Sequence, residues 1–338
     1  MGDVALPELA YLAKLRHQLP NGDDLRDDCH YTPTTGQVVS VDCFVEHRHF
    51  EFGWMQPEQV GFKCASAALS DIAAMGATAT GLLVGLTVPE LQAGDEDTIL
   101  LPLYQGLQTA LAQASPMAQL LGGDWVAGPC WQLAVTVLGQ VAQGHSAGLR
   151  THAQAGDVVL LWQGHDHGLA GLGCVLLQEG LASCAHPSQW SDALAAHTHP
   201  KPGYSAGVGL ASLGQRYALM DTSDGLADAA LKISQLSQVS VVLDEVALPL
   251  HPLLVEAEAQ GLLKARHTQL YGGEDFGLLA TCTPATAEQL PTGLRWQRVG
   301  QVEARSDTLP KGEACAWLRS TQGTLLPLRY GLTYQHHT

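Results

Sequence analysis

Apolar residues recur along the chain in short runs broken by glycine or polar residues, and the spacing switches between alternation and a helical period. Residues 38–41, 82–88 and 131–141 read as strands, the last from its regular alternation. Residues 8–18 predict a short helix, and 56–75 a longer helix rich in small side chains. Residues 96–114 predict another, with Asp97 and Thr98 near its start. An apolar run over 118–121 is predicted to halt at Gly122-Gly123-Asp124.

Between residues 143 and 156 the chain turns small and polar, as at a domain junction, and the boundary is placed near 148. Beyond it the pattern repeats. Strands are predicted at 158–162, 218–220, 239–243 and 276–281, and helices at 168–179, 225–237 and 252–264. Residues 181–205 carry no clear period; Pro200 and Pro202 favour irregular backbone with at most a short helix. The expectation is an α/β protein of two domains, 1–148 and 149–338.

Composition narrows the possibilities. At 338 residues the chain is long for one core, and 46% hydrophobic against 15% charged residues describes a folded protein. A net charge of −16 disfavours a nucleic-acid partner, and an acidic protein that handles phosphate needs divalent cations between the two. Eight cysteines without a Cys-x-x-Cys pair read as reduced structural thiols. No long apolar span, cleavable leader or lipidation pattern is found, so a cytoplasmic protein without membrane attachment is expected.

Several apolar runs close on acids: Asp42, Asp124, Asp221 with Asp224, and Glu274 with Asp275. One aspartate after a strand is most often a turn or helix cap. Four such endings point instead to a shared crevice. Asp71 adds to them, because it interrupts a helix of small residues where an uncompensated carboxylate is costly; the alternatives are exposure or pairing with Lys63. Asp27 and Asp28 gain meaning only as members of this set. Mg²⁺ binds through a few carboxylates plus substrate phosphates, so a triphosphate site needs several acids.

Gly122-Gly123 and Gly272-Gly273 each precede an acid and would let backbone approach phosphate. No Walker sequence and no protein-kinase catalytic loop is present. The pairs His47/His49, His165/His167 and His197/His199 lack further ligands at zinc spacing and read as surface or core histidines.

In order along nearly the whole chain, Val41-Asp42 through Phe50, Lys63 with Ser70-Asp71-Ile-Ala-Ala-Met-Gly-Ala77, Leu-Gly-Gly-Asp124, Arg150 before Asp157, Asp221-x-Ser223-Asp224-Gly225-Leu226 and Gly-Gly-Glu274-Asp275-Phe276 resemble the thiamine-monophosphate kinases. That family shares a superfamily with aminoimidazole ribonucleotide synthetase and selenophosphate synthetase. The resemblance implies an N-terminal sheet that pairs across a homodimer and a C-terminal α/β domain. It also implies transfer of the ATP γ-phosphoryl group to thiamine monophosphate. Asp28, Ser40, Asp42, Asp71, Asp124, Asp221 and Asp224 correspond to magnesium ligands. Tyr104, Gly123, Asp124, Arg150 and Ser223 correspond to nucleotide contacts, and His49, Glu274 and Tyr334 to substrate contacts. Asp42, Asp71, Asp221 and Arg150 are the implied catalytic set.

The chain departs from the family pattern at Asp24-Leu25-Arg26, at Trp125-Val126-Ala127 after Gly-Gly-Asp, over residues 163–172, and at Gly277. These changes leave two alternatives open, a relative acting on another small acceptor and a nucleotide-binding protein without turnover.

Overall fold

The computed structural model describes Gln18 and residues 26–181, 189–305 and 315–330. Apart from Gln18, the helix predicted over residues 8–18 lies outside the described residues, as does Tyr334. Two sheets organise the molecule. The first runs in the order β1-β2-β5-β3-β4, from β1 (His30–Thr32), β2 (Gln37–Val45), β3 (Thr78–Val88), β4 (Gln119–Ala127) and β5 (Gln132–Gln140). Only β3 and β4 pair in parallel, and the remaining neighbours are antiparallel.

Two helices interleave with these strands, α1 (Pro57–Ala74) and α2 (Leu101–Ala114). Pro57 at the first helical position and a reciprocal Gln56/Gln59 capping box start α1 one residue inside the predicted limit. The two helices pack backbone against backbone: a Cβ on Gly61 would lie 1.9 Å from the Leu103 carbonyl oxygen, and one on Gly106 2.0 Å from that of Glu58. Together they cover one face of the sheet, where Val38, Leu82, Val84, Leu133, Val135 and Val137 are buried.

The second sheet is ordered β12-β11-β8-β10-β6-β9-β7. Its strands are β6 (Val158–Trp162), β7 (Tyr217–Asp221), β8 (Ser240–Asp244), β9 (Leu278–Cys282), β10 (Gln297–Glu303), β11 (Ala316–Arg319) and β12 (Leu325–Pro327). Helices α3 (Leu169–Gln178), α4 (Ser191–Thr198), α5 (Tyr204–Ala211), α6 (Leu226–Ser237), α7 (Pro252–Ala259), α8 (Ala265–Tyr271) and α9 (Pro284–Glu288) accompany it. Among the described residues no helix is long and apolar enough to cross a membrane.

The apolar run predicted to stop at Leu121 continues through Gly122-Gly123-Asp124 to Ala127, because pairing with β3 carries the strand past the glycines. Gly123 sits opposite Val84, where a Cβ would stand 1.9 Å from that residue's carbonyl oxygen. Asp42 likewise lies inside β2, three residues short of its end.

Candidate active site

Alternation along β2 turns Val38 and Phe44 toward α1, and Ser40 and Asp42 share that face. Two polar side chains thus interrupt an otherwise apolar surface, opposite the helix that carries Ser70 and Asp71. Ser40 donates its hydroxyl to Asp71 Oδ2 at 2.5 Å. From the adjacent position on α1, Ser70 donates to Asp221 Oδ2, and Ser223 donates to Asp221 Oδ1 at 2.9 Å. Asp221 is the last residue of β7, so α1 joins the acid of the first sheet's layer to the acid ending a strand of the second.

Asp28, Asp71 and Asp221 each offer a carboxylate oxygen within 4.8 Å of the others. Like charges packed this closely resist ionisation. Burial pushes the Asp221 carboxyl up to about 7, with the Asp28 charge adding to the effect. Burial raises Asp71 well above the ordinary carboxylate range, followed by repulsion from Asp42, Asp221 and Asp28. Lys63, the alternative partner for Asp71, pairs with Glu274 instead.

Arg150 is the cation at this cluster. It forks onto Asp28, with Nε 3.3 Å from Oδ2 and an Nη2 contact to Oδ1, while its backbone N–H donates to Asp27 Oδ1 at 2.7 Å. Burial works against the guanidinium charge, but Asp28 outweighs it and holds Arg150 firmly protonated.

The other candidates stand elsewhere. Asp124 is exposed on β4 and does not join the three-acid group. Asp224 pairs with Lys232 at 3.0 Å, and Lys232 also meets Asp228 at 2.8 Å. Tyr104 is half-buried on α2 against the first core. His49 accepts the Val45 N–H at Nδ1 (2.9 Å) and stands edge-on to Phe44. Glu274 is 5% exposed.

Glu274 lies in a tightly wound strap before β9, where Gly273, Glu274 and Phe276 all have positive φ, of 67°, 58° and 47°. Bonds to the loop after β7 fix the strap. The Glu274 N–H donates to the Ser223 carbonyl at 2.6 Å, and Thr222 and Gly277 exchange bonds of 3.0 and 2.9 Å. Asp275 accepts the N–H groups of Gly168 and Ala170 at the start of α3 and faces His167 at 3.3 Å. Sequence reading missed Lys232 as the partner of Asp224 and Asp228, although the Asp228/Lys232 spacing on one helix is a local ion-pair signal; His167 and His197 become visible as partners of acids only when distant segments meet. Asp157 likewise proves structural, held in a fork by Arg216 at 2.7 and 2.8 Å.

Cys174, His197 and Glu274 also bring ligand atoms within 4.8 Å of one another. The Lys63 ammonium already contacts both Glu274 oxygens and His197 there, so the protein supplies that cluster's cation itself.

With this geometry in view, the comparisons are decisive. A thiamine-monophosphate kinase of Synechococcus elongatus is 38% identical over 315 residues, 89% of this chain and 91% of its own. The chain belongs to the thiamine-monophosphate kinase family. Its Bacillus subtilis member is 33% identical, with 74% of each chain covered. Residues 26–141 match the family model for the AIR synthase related protein N-terminal domain. The solved structure of AaThiL complexed with AMPPCP and TMP shares the fold, with a TM-score of 0.78, 23% identity and coverage of 96% of this chain and 97% of that one.

Proposed function

We propose that the protein transfers the γ-phosphoryl group of ATP to thiamine monophosphate, giving thiamine diphosphate. The observation that carries this reading is the meeting of Asp28, Asp71 and Asp221 from three separate segments in a chain of this family. The structural relative's complex with an ATP analogue and TMP supports both substrates.

The three acids fit Mg²⁺. All offer hard oxygen donors, and burial together with their mutual repulsion raises two of their pKa values, so a divalent cation relieves a cost that the protein alone does not. Bound there, Mg²⁺ supplies charge neutralisation between the phosphates. Asp28, Asp71 and Asp221 are the principal holders, with Asp42 beside Asp71 and Ser40 orienting it; Asp124 and Asp224 complete the proposed set from the rim.

The acceptor is itself a phosphate oxygen, already nucleophilic, so no strong general base is required. It attacks the γ-phosphorus as the bond to the β-bridging oxygen breaks, and ADP leaves with that oxygen. Arg150 offers a fixed positive fork to charge spreading in the transition state. Gly123, Ser223 and Tyr104 are assigned to the nucleotide, and His49, Glu274 and Tyr334 to thiamine monophosphate. Residues 1–148 form the part that carries Asp28, Asp42, Asp71 and Asp124 for ATP and Mg²⁺, and 149–338 the C-terminal α/β domain, which adds Arg150, Asp221, Ser223 and Asp224.

A homodimer and a cytoplasmic location complete the proposal. The outer face of the first sheet leaves Val41, Leu83, Leu121 and Val126 exposed, an apolar surface fitted to a second copy. Incubation of the purified protein with ATP, thiamine monophosphate and MgCl₂, read by chromatography, should yield thiamine diphosphate and ADP in equal amounts. Absence of thiamine diphosphate would end this reading, and transfer to a different phosphorylated acceptor would redirect it.

A further inference from the structure

Lys63 is a lysine on α1 only 2% exposed, and its surroundings account for that. Its ammonium donates to the His49 carbonyl oxygen at 3.0 Å, lies 3.1 and 3.2 Å from the two Glu274 oxygens, and meets His197 Nε2 at 3.0 Å. These partners come from three segments: the turn after β2, the strap before β9, and the end of α4. Three N–H groups thus meet a carbonyl, a carboxylate and an imidazole, which saturates the ammonium.

His197 completes the arrangement. Burial lowers its pKa and the Lys63 charge lowers it further, so the ring is neutral. With Nε2 accepting from Lys63, the proton resides on Nδ1, which faces Glu274 Oε2 at 3.1 Å. Lys63 therefore grips Glu274 at both oxygens, beside the His197 ring, while it also holds the backbone at His49.

We infer that Lys63 is a positioning residue for thiamine monophosphate, setting His49 and Glu274 relative to each other across the two sheets. The inference rests on the kinase reading above, which assigns those two residues to that substrate. Lys63 stands apart from the metal cluster: Asp71 is eight residues further along the same helix, about 12 Å at 1.5 Å per residue. Its influence on ATP is correspondingly small. Removing the ammonium leaves Glu274 buried beside a neutral imidazole and releases the His49 turn, so the loss falls on one substrate.

The test is steady-state kinetics with each substrate varied in turn, for the wild type, Lys63→Met and the double variant Lys63→Met with Glu274→Gln. Loss of a charged hydrogen bond at this site predicts a KM for thiamine monophosphate raised about tenfold or more in Lys63→Met, with the KM for ATP within about twofold. The double variant, which buries no unpaired carboxylate, should recover part of the melting temperature that Lys63→Met loses but not its KM for thiamine monophosphate, because Glu274 is itself assigned to that substrate. If Lys63→Met does not fold, the double variant is compared with wild type directly, and the same selective rise is required. Equal rises in both KM values, or a KM for thiamine monophosphate that returns to the wild-type value in the double variant, overturn the assignment. A wild-type protein with no turnover overturns the kinase reading instead, so the two failures are distinguishable.

Discussion

Ser40 donates its hydroxyl to Asp71 across 2.5 Å, tying a strand residue to a helix residue 31 positions later. That bond orients a carboxylate that burial and three neighbouring acids keep reluctant to ionise. Asp71→Asn keeps the shape and removes the charge. It should lower kcat by at least about a hundredfold, the usual cost of deleting one transition-state charge contact. The same change should raise the melting temperature of the metal-free protein at pH 8 by roughly 2 °C or more, since one repelling charge is gone. Calorimetry and kinetics on one preparation check both, and a variant that is both slower and less stable without metal would contradict the account.

A pH dependence follows from the same cluster. The Asp221 carboxyl titrates near 3.8 when unperturbed and at about 7 in the fold. Between these values the folded state holds a proton that the unfolded chain has lost, so stability falls as pH rises through this window. Asp71 shifts in the same direction and adds to the slope. Metal-free protein should therefore be more stable at pH 5.5 than at pH 8, and MgCl₂ should raise the melting temperature more at pH 8. Thermal scans at the two pH values, with EDTA or Mg²⁺, provide the measurement. A Mg²⁺ effect larger at pH 5.5 would show that these carboxylates are not what the cation neutralises.

Arg150 meets Asp28 with two nitrogens, a geometry that lysine cannot reproduce. Arg150→Lys should retain folding but lose about tenfold or more in kcat, and Arg150→Met about a hundredfold, because the proposed reaction assigns this guanidinium to the charge on the transferred group as well. Full activity in Arg150→Lys would reduce the arginine to a simple counter-ion for Asp28.

Much of this site was legible in the sequence, and the reasons differ by residue. Ser40 and Asp42 are polar positions on the core-facing side of an alternating strand, and Asp71 interrupts a helix of small residues; both are local violations of pattern. Asp221 ends a strand as read. The role of Asp124 was less legible, since the double glycine suggested a loop whereas parallel pairing with β3 keeps the chain extended. Strands β10, β11 and β12 and helix α5 escaped the periodicity, being short or irregular in their burial. The Lys63, His197 and Glu274 contact could not be read at all, because its members lie up to 211 residues apart and each alone is an ordinary charged or polar residue.

The outer face of the first sheet gives the last prediction. Alternation along β2 sends Val39, Val41, Cys43 and Val45 outward, opposite Val38, Ser40, Asp42 and Phe44, so the outward side is apolar throughout. Val41 is 59% exposed and Val126, on β4, 55%. A sheet facing water on one side normally alternates apolar with polar residues, and a face that does not is built to be covered. Light scattering should give twice the chain mass for the wild type, and Leu83→Glu, which places a charge on that face, should shift the protein toward monomer. Because Asp124 pairs with Gly85 on the same side of the sheet, the monomeric variant should also bind ATP less tightly than wild type, by about threefold or more if dimerisation orders this edge of the site. A wild-type monomer, or a Leu83→Glu variant that remains dimeric, would mean that this face is not the joining surface.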